Sequence, residues 1–142
     1  MDDPRLDGER IAALLRGANA QDCEITIEST PYESPEDTSR VCDFLKVVIP
    51  GEHGAASGGD APTLGIIGRL GAQQAQPGRI GFVSDADGSI VAVAAALKLL
   101  RLAGAGARLA GDVIVTTHIA THVSIIPREP VDFMGAPISS GG

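Results

Sequence analysis

Tryptophan is absent from this chain, tyrosine occurs once and phenylalanine three times among 142 residues. The core must therefore be built from Ala, Val, Ile and Leu, which suits layers of helix on sheet. Clustered Lys or Arg is also missing, and the formal charge is −7. Recognition of nucleic-acid phosphates needs basic clusters, so nucleic-acid binding is excluded as a reading. The longest apolar run, Ile90 to Leu97, falls far short of the ~20 residues that a membrane span requires. The opening MDDPRLDGER has no apolar stretch of the kind a secretory signal uses. These features together predict a cytoplasmic protein with no membrane partner.

Cysteine is scarce too. Cys23 and Cys42 form no CxxC pair, so zinc-finger and thioredoxin patterns fail. Both read as small strand residues, neighbours in one sheet, that stay reduced in the cytosol. What the chain does have is 44% hydrophobic residues and a mean hydropathy of +0.16, enough for one folded domain with a real core.

Asp7 to Arg16 reads as a helix capped by Asp7, with an apolar stripe at Ile11, Leu14, Leu15 and Ala18. Residues 23–28 alternate apolar and polar as a strand does, and 43–49 is a second strand placed to pair with it antiparallel. Between them, 29–40 is a polar loop containing proline. The stretch 50–62, PGEHGAASGGDAP, is a loop. Beyond it, Asp60 in a capping position, Pro62 in a first turn, and Leu64, Ile67 and Leu70 on one face predict a helix. Gly65 and Gly68 weaken that helix by ~1 kcal/mol each while allowing close packing on a sheet.

Ile80 to Ser84 reads as a short strand, 89–103 as a helix apolar nearly all round, and 112–117 as a central strand. These three would form a right-handed βαβ unit with parallel strands. The domain is expected to span 1–126, followed by an irregular tail over 127–142 that is rich in Pro and Gly. The expected architecture is α/β: a mixed, mainly parallel sheet covered by helices on both faces.

Ligands gather at the carboxyl ends of strands in open parallel sheets. Two such ends are predicted here, SDADG (84–88) and TTHIATH (116–122). Asp85, Asp87 and His118 are the candidate metal ligands, since carboxylate and imidazole suit zinc or another divalent transition metal. The structural alternative stands beside this: an Asp between a strand and a helix serves as an N-cap, and His118 as a core imidazole. His118 and His122 have i,i+4 spacing, but Ile119 occupies the place of the Glu in a metalloprotease helix.

Asp85 to Ser89 opens like a calcium loop, yet Ile90 and Ala96 break that pattern. The glycine loop lacks the Gly-Lys-Ser/Thr of a P-loop, though its amides could face an anion near Asp60. His53, Asp60, Thr117 and His122 are the candidate substrate contacts. No residue presents itself as a general base, and the catalytic set stays open.

The stretches GGDAPTLGIIGRLG, GRIGFVSDADGSIVAVAAALKL, GDVIVTTHI and EPVDFMGAP resemble a bacterial family known only as a domain of unknown function, number eleven seventy-seven. The resemblance runs from about Arg5 to Pro137 and implies that this chain corresponds to the N-terminal half of longer members. A second polypeptide, or a homo-oligomer, would then complete it. The chain departs from the family pattern after His118, where IATHVSIIPRE replaces a Cys-Pro-Asp-like stretch.

More distantly, Asp87 with its Ala-rich helix is similar to the bridging Asp of co-catalytic zinc aminopeptidases and aminoacylases. That likeness implies an incomplete zinc-aminopeptidase-like sandwich hydrolysing an amide or peptide-like small molecule. It lacks the upstream His-x-Asp, having Gly58-Gly59-Asp60, and lacks the Glu-Glu pair, having Thr116-Thr117-His118. Two other functions stand beside this one: a non-catalytic subunit that pairs with a second chain, and a small-molecule binding module using the glycine loop.

Overall fold

A computed structural model describes residues 6–18, 20–31, 41–69, 73–74, 82–83, 86–121, 123 and 125–134. Its centre is a four-stranded mixed sheet in the order β1-β2-β6-β3, with β1 at Glu24–Pro31, β2 at Val41–Ile49, β3 at Leu64–Gly68 and β6 at Val113–Ile119. β1 and β2 pair antiparallel from Glu24↔Val48 to Pro31↔Val41, as the alternation of 23–28 and 43–49 predicts. β2 also pairs antiparallel with β6, and β6 pairs parallel with β3. Two of the three ladders are thus antiparallel, so the sheet is mixed but not mainly parallel.

Two helices cover the sheet. α1, Gly8–Arg16, begins at Asp7, whose side chain accepts from the Arg10 amide at 2.8 Å. A second carboxylate works at the same end: buried Asp43 of β2 accepts from the Gly8 amide at 2.7 Å and from the Ser29 hydroxyl at 2.6 Å. Helix termini leave amides without intrahelical partners, and these two acids satisfy some of them. Ile11, Ala12 and Leu15 face the sheet, whereas Leu14, expected in the stripe, is 56% exposed.

α2, Asp87–Gly104, lays Ser89, Ala92, Val93, Ala96, Leu100 and Ala103 on the same sheet face. The alanines let its axis come close to the strands, and Leu100, Leu45, Val47, Val113 and Val115 fill the space between. Burying each of these larger side chains contributes about 1.5–3 kcal/mol. Both helices share one core cluster with the odd-numbered residues of β2 and β6, so among the described residues the helices lie on one face only. The expectation of helices on both faces is corrected accordingly.

Two further expectations fail together. The described part of the expected helix, 60–69, is not helical: 64–68 form the edge strand β3, held parallel to β6 by Leu64↔Val113 through Gly68↔Thr117. The parallel unit is therefore β3–α2–β6. The segment expected to be its first strand contains β5, Phe82–Val83, which pairs with β4, Gln73–Gln74, in a separate two-stranded sheet. A similar short pair, β7 at Ile125–Ile126 with β8 at Phe133–Met134, joins the last residues of the expected domain to the first part of the expected tail. No helix among the described residues is long and apolar enough to cross a membrane. Cys23 and Cys42 are both free; one precedes β1 and the other pairs with Thr30 near the far end of that strand.

Candidate functional site

The sheet's second face carries the residues of opposite parity. On β2 these are Phe44, Lys46 and Val48, and on β6 Ile114, Thr116 and His118, because alternate side chains project to opposite sides. Register then decides the neighbours. Thr26 of β1 stands opposite Lys46, and Lys46 in turn opposite Thr116; Glu28 stands opposite Phe44, and Phe44 opposite His118. Ile67 of β3 flanks Thr116. Past the end of β6, Ala120 and Val123 cover Cys42 and close that corner of the face. Burial there pushes the Cys42 thiol up to about 11, with the Asp43 charge adding to the effect.

A cavity of about 430 Å³ remains on this face, floored by Phe44, Lys46, Thr116 and His118 and edged by Ile67 and Arg69. Its size lies within the range of small-molecule sites. It sits where β3 and β6 end, the carboxyl edge of the parallel pair. α2 starts at this edge too: the Ser89 amide donates to the Arg69 carbonyl at 3.0 Å, and Gly68 packs against Gly88 and Ala92.

His118 is half-buried, with its ring centroid 6.1 Å from that of Phe44 and the planes inclined by 47°. Burial first, and the neighbouring Arg69 charge second, hold its pKa below the ordinary 6.5. The imidazole is thus mainly neutral near pH 7, able to donate from one nitrogen and accept at the other.

The predicted site residues separate into two groups. His118 lies in the cavity floor, and Asp87 is exposed on the first turn of α2 at the same edge. Asp87 is not the expected N-cap: that position falls to Ala86, which makes no side-chain cap bond. Thr117 has its side chain on the core face and is 3% exposed, so only its backbone reaches the cavity. Asp85 and His122 lie outside the described residues. Among the described residues, no three His, Cys, Asp or Glu side chains gather in a metal-binding group.

His53 and Asp60 belong to the other edge. The loop 50–62 leaves β2 at Ile49, which pairs with Val113, and enters β3 at Leu64, which pairs with the same residue. His118 is five strand positions further on, about 17 Å away at the usual rise per residue. The glycine loop is organised from within by Asp112, which is 5% exposed and accepts from the Gly51 amide at 2.8 Å and the Ala56 amide at 2.9 Å. These bonds hold the Asp112 carboxyl below its ordinary 3.8. The Ser57 hydroxyl donates to the Gly51 carbonyl at 2.7 Å, and Gly54 bridges to Ala61. The protein's own carboxylate thus occupies amides that an anion would otherwise use. Asp60 starts no helix.

Lys46, Phe44, Arg69 and Thr116 were missed as site residues. Their signal in the sequence is the period-two pattern of β2 and β6, but which of them face one another depends on register. A mixed α/β sheet with a small-molecule-sized cavity at a strand-end edge defines a general class of domain. Within that class, the chain matches the family model "Protein of unknown function (DUF1177)" over residues 33–141, and it belongs to that family. No curated protein matches it.

Proposed function

We propose that this protein is a small-molecule binding domain whose ligand lies on the face of the sheet opposite α1 and α2, above Phe44, Lys46, Thr116 and His118, and that binding needs no metal. The carrying observation is the cavity of about 430 Å³, where an aromatic ring, hydroxyls, an imidazole and cations converge. Ligand sites combine apolar walls with a few orienting polar groups, and this set has both. The glycine loop, with its amides bonded to Asp112, gives less support to a ligand. Both thiols are free, which fits a reducing compartment such as the cytoplasm.

The test is a fragment titration of chelator-treated, isotope-labelled protein followed by amide chemical shifts. Shifts concentrated at Phe44, Lys46, Thr116 and His118 support the reading. Shifts confined to the 50–62 loop or to the helices contradict it.

A second reading, a metal-dependent amide hydrolase completed by another chain, is favoured by one observation: Asp87 opens the helix whose Ser89 amide bonds the Arg69 carbonyl, at the sheet edge where the Arg69 charge acts on His118. Bound metal would lower the pKa of a coordinated water toward ~7. It predicts stoichiometric zinc or another divalent metal in protein purified without chelators, lost in Asp87→Ala and His118→Ala.

A further inference from the structure

We infer that the ligand of the sheet-face cavity is a small organic monocarboxylate, its carboxylate held by Arg69 and Lys46 and its apolar body resting on Phe44 and Ile67; this rests on the binding reading above. Charge is the first argument. The chain carries −7 overall, yet the cavity gathers Lys46 and Arg69 against one acid, Glu28. Asp87 is exposed at the adjoining end of α2 and does not line the cavity.

The partners of these cations supply the second argument. Arg16 pairs with Glu9, and Arg108 donates to the Pro50 and Gln21 carbonyls. Neither Lys46 nor Arg69 has a hydrogen bond or ion pair with another described side chain. A planar guanidinium with forked donors matches a carboxylate, and the ammonium of Lys46 adds a point charge beside it. Because Glu28 offsets one of the two positive charges, a monoanion fits better than a phosphate dianion.

The third argument is the apolar surface. Ile67 is 83% exposed and Phe44 38% exposed, beside the threonines and charged side chains that line the cavity. A ligand with an aromatic or aliphatic body would remove that surface from water. Thr26, Thr116 and neutral His118 remain to hydrogen-bond substituents on the body.

The probes are 3-phenylpropionate and its neutral isostere 3-phenylpropionamide, titrated into the full chain up to about 10 mM, above the millimolar affinities expected of fragments this small. The carboxylate should perturb Phe44, Lys46, Thr116 and His118 with an affinity at least about tenfold tighter than the amide. Arg69→Gln should abolish the preference and Lys46→Gln reduce it. Both side chains are exposed, and unchanged far-UV spectra check that the variants fold.

Equal binding of the two probes on this face overturns the carboxylate assignment and leaves the binding reading standing. Perturbations elsewhere, or none on this face from either probe, overturn both.

Discussion

His118 faces Phe44 across the β2–β6 ladder, the two rings tilted by 47° with centroids 6.1 Å apart. The pair forms part of the cavity floor, and such cross-strand contacts contribute about 0.2–1 kcal/mol to the sheet. Burial of the His118 ring, and after it the Arg69 charge, favours the neutral imidazole.

A pH dependence of stability follows. The native pKa of His118 lies below the ordinary 6.5, so in that range the unfolded chain binds more protons than the folded one. Stability therefore falls as pH drops below about 6.5 and levels off once the folded form is protonated too. Urea unfolding above and below that pH should show the decline, and His118→Gln should flatten it. Asp112 adds a separate loss only below about 3.8, because its native pKa is also depressed and its stabilising charge disappears as acid protonates it.

Asp112→Ala should loosen the 50–62 loop without unfolding the sheet. The amides of Gly51 and Ala56 lose their acceptor. Their hydrogen exchange should accelerate by about tenfold or more, while Val47 and Val115 in the sheet stay protected. Equal acceleration throughout would mean that Asp112 supports the whole fold.

Asp43→Ala removes the acceptor for both the Gly8 amide and the Ser29 hydroxyl. Leaving such groups unpaired costs about 1–3 kcal/mol, measurable by chemical denaturation. Gly8→Ala should also destabilise, since an added Cβ would come within 2.7 Å of the Asp43 Cβ.

Gly68→Ala and Gly65→Ala should behave oppositely although both lie on β3. A Cβ at Gly68 would come 2.5 Å from the Gly88 carbonyl oxygen and 2.7 Å from the Ala92 Cβ, overpacking the strand against α2. The expected cost is about 1–3 kcal/mol, with weaker ligand binding as Arg69 moves. At Gly65 nothing lies within 4 Å, so that change should be near neutral.

The contrast between those glycines also explains which parts of the fold could be read in advance. α1, α2, β1, β2 and β6 follow from local pattern: Asp7 as a cap, the Ala-rich stripe of α2, and alternation in the strands. The close packing expected of Gly65 and Gly68 as helix residues on a sheet holds for Gly68 alone, and there as a strand residue against α2. The segment around it was not, because Leu64 and Ile67 at a spacing of three, behind Asp60 and Pro62, mimic a capped helix. Tertiary pairing with β6 prevailed over that local signal.

One misleading local signal affects the next element: with 64–68 taken as a helix, 80–84 stands as the parallel partner of β6, a place that β3 holds with Gly68 opposite Thr117 and Arg69 just beyond it. The position of His118 at the strand-end edge follows from local pattern. Lys46 and Phe44 could not be, since a shift of one residue in register would turn them to the other face.

The most direct test of the account is the affinity of 3-phenylpropionate for this protein after exhaustive chelation, compared with the same protein supplied with zinc. The account predicts equal affinity in both states, with shifts centred on Phe44, Lys46, Thr116 and His118. Binding that appears only with zinc, accompanied by shifts at Asp87, would contradict it and favour the metal-dependent reading.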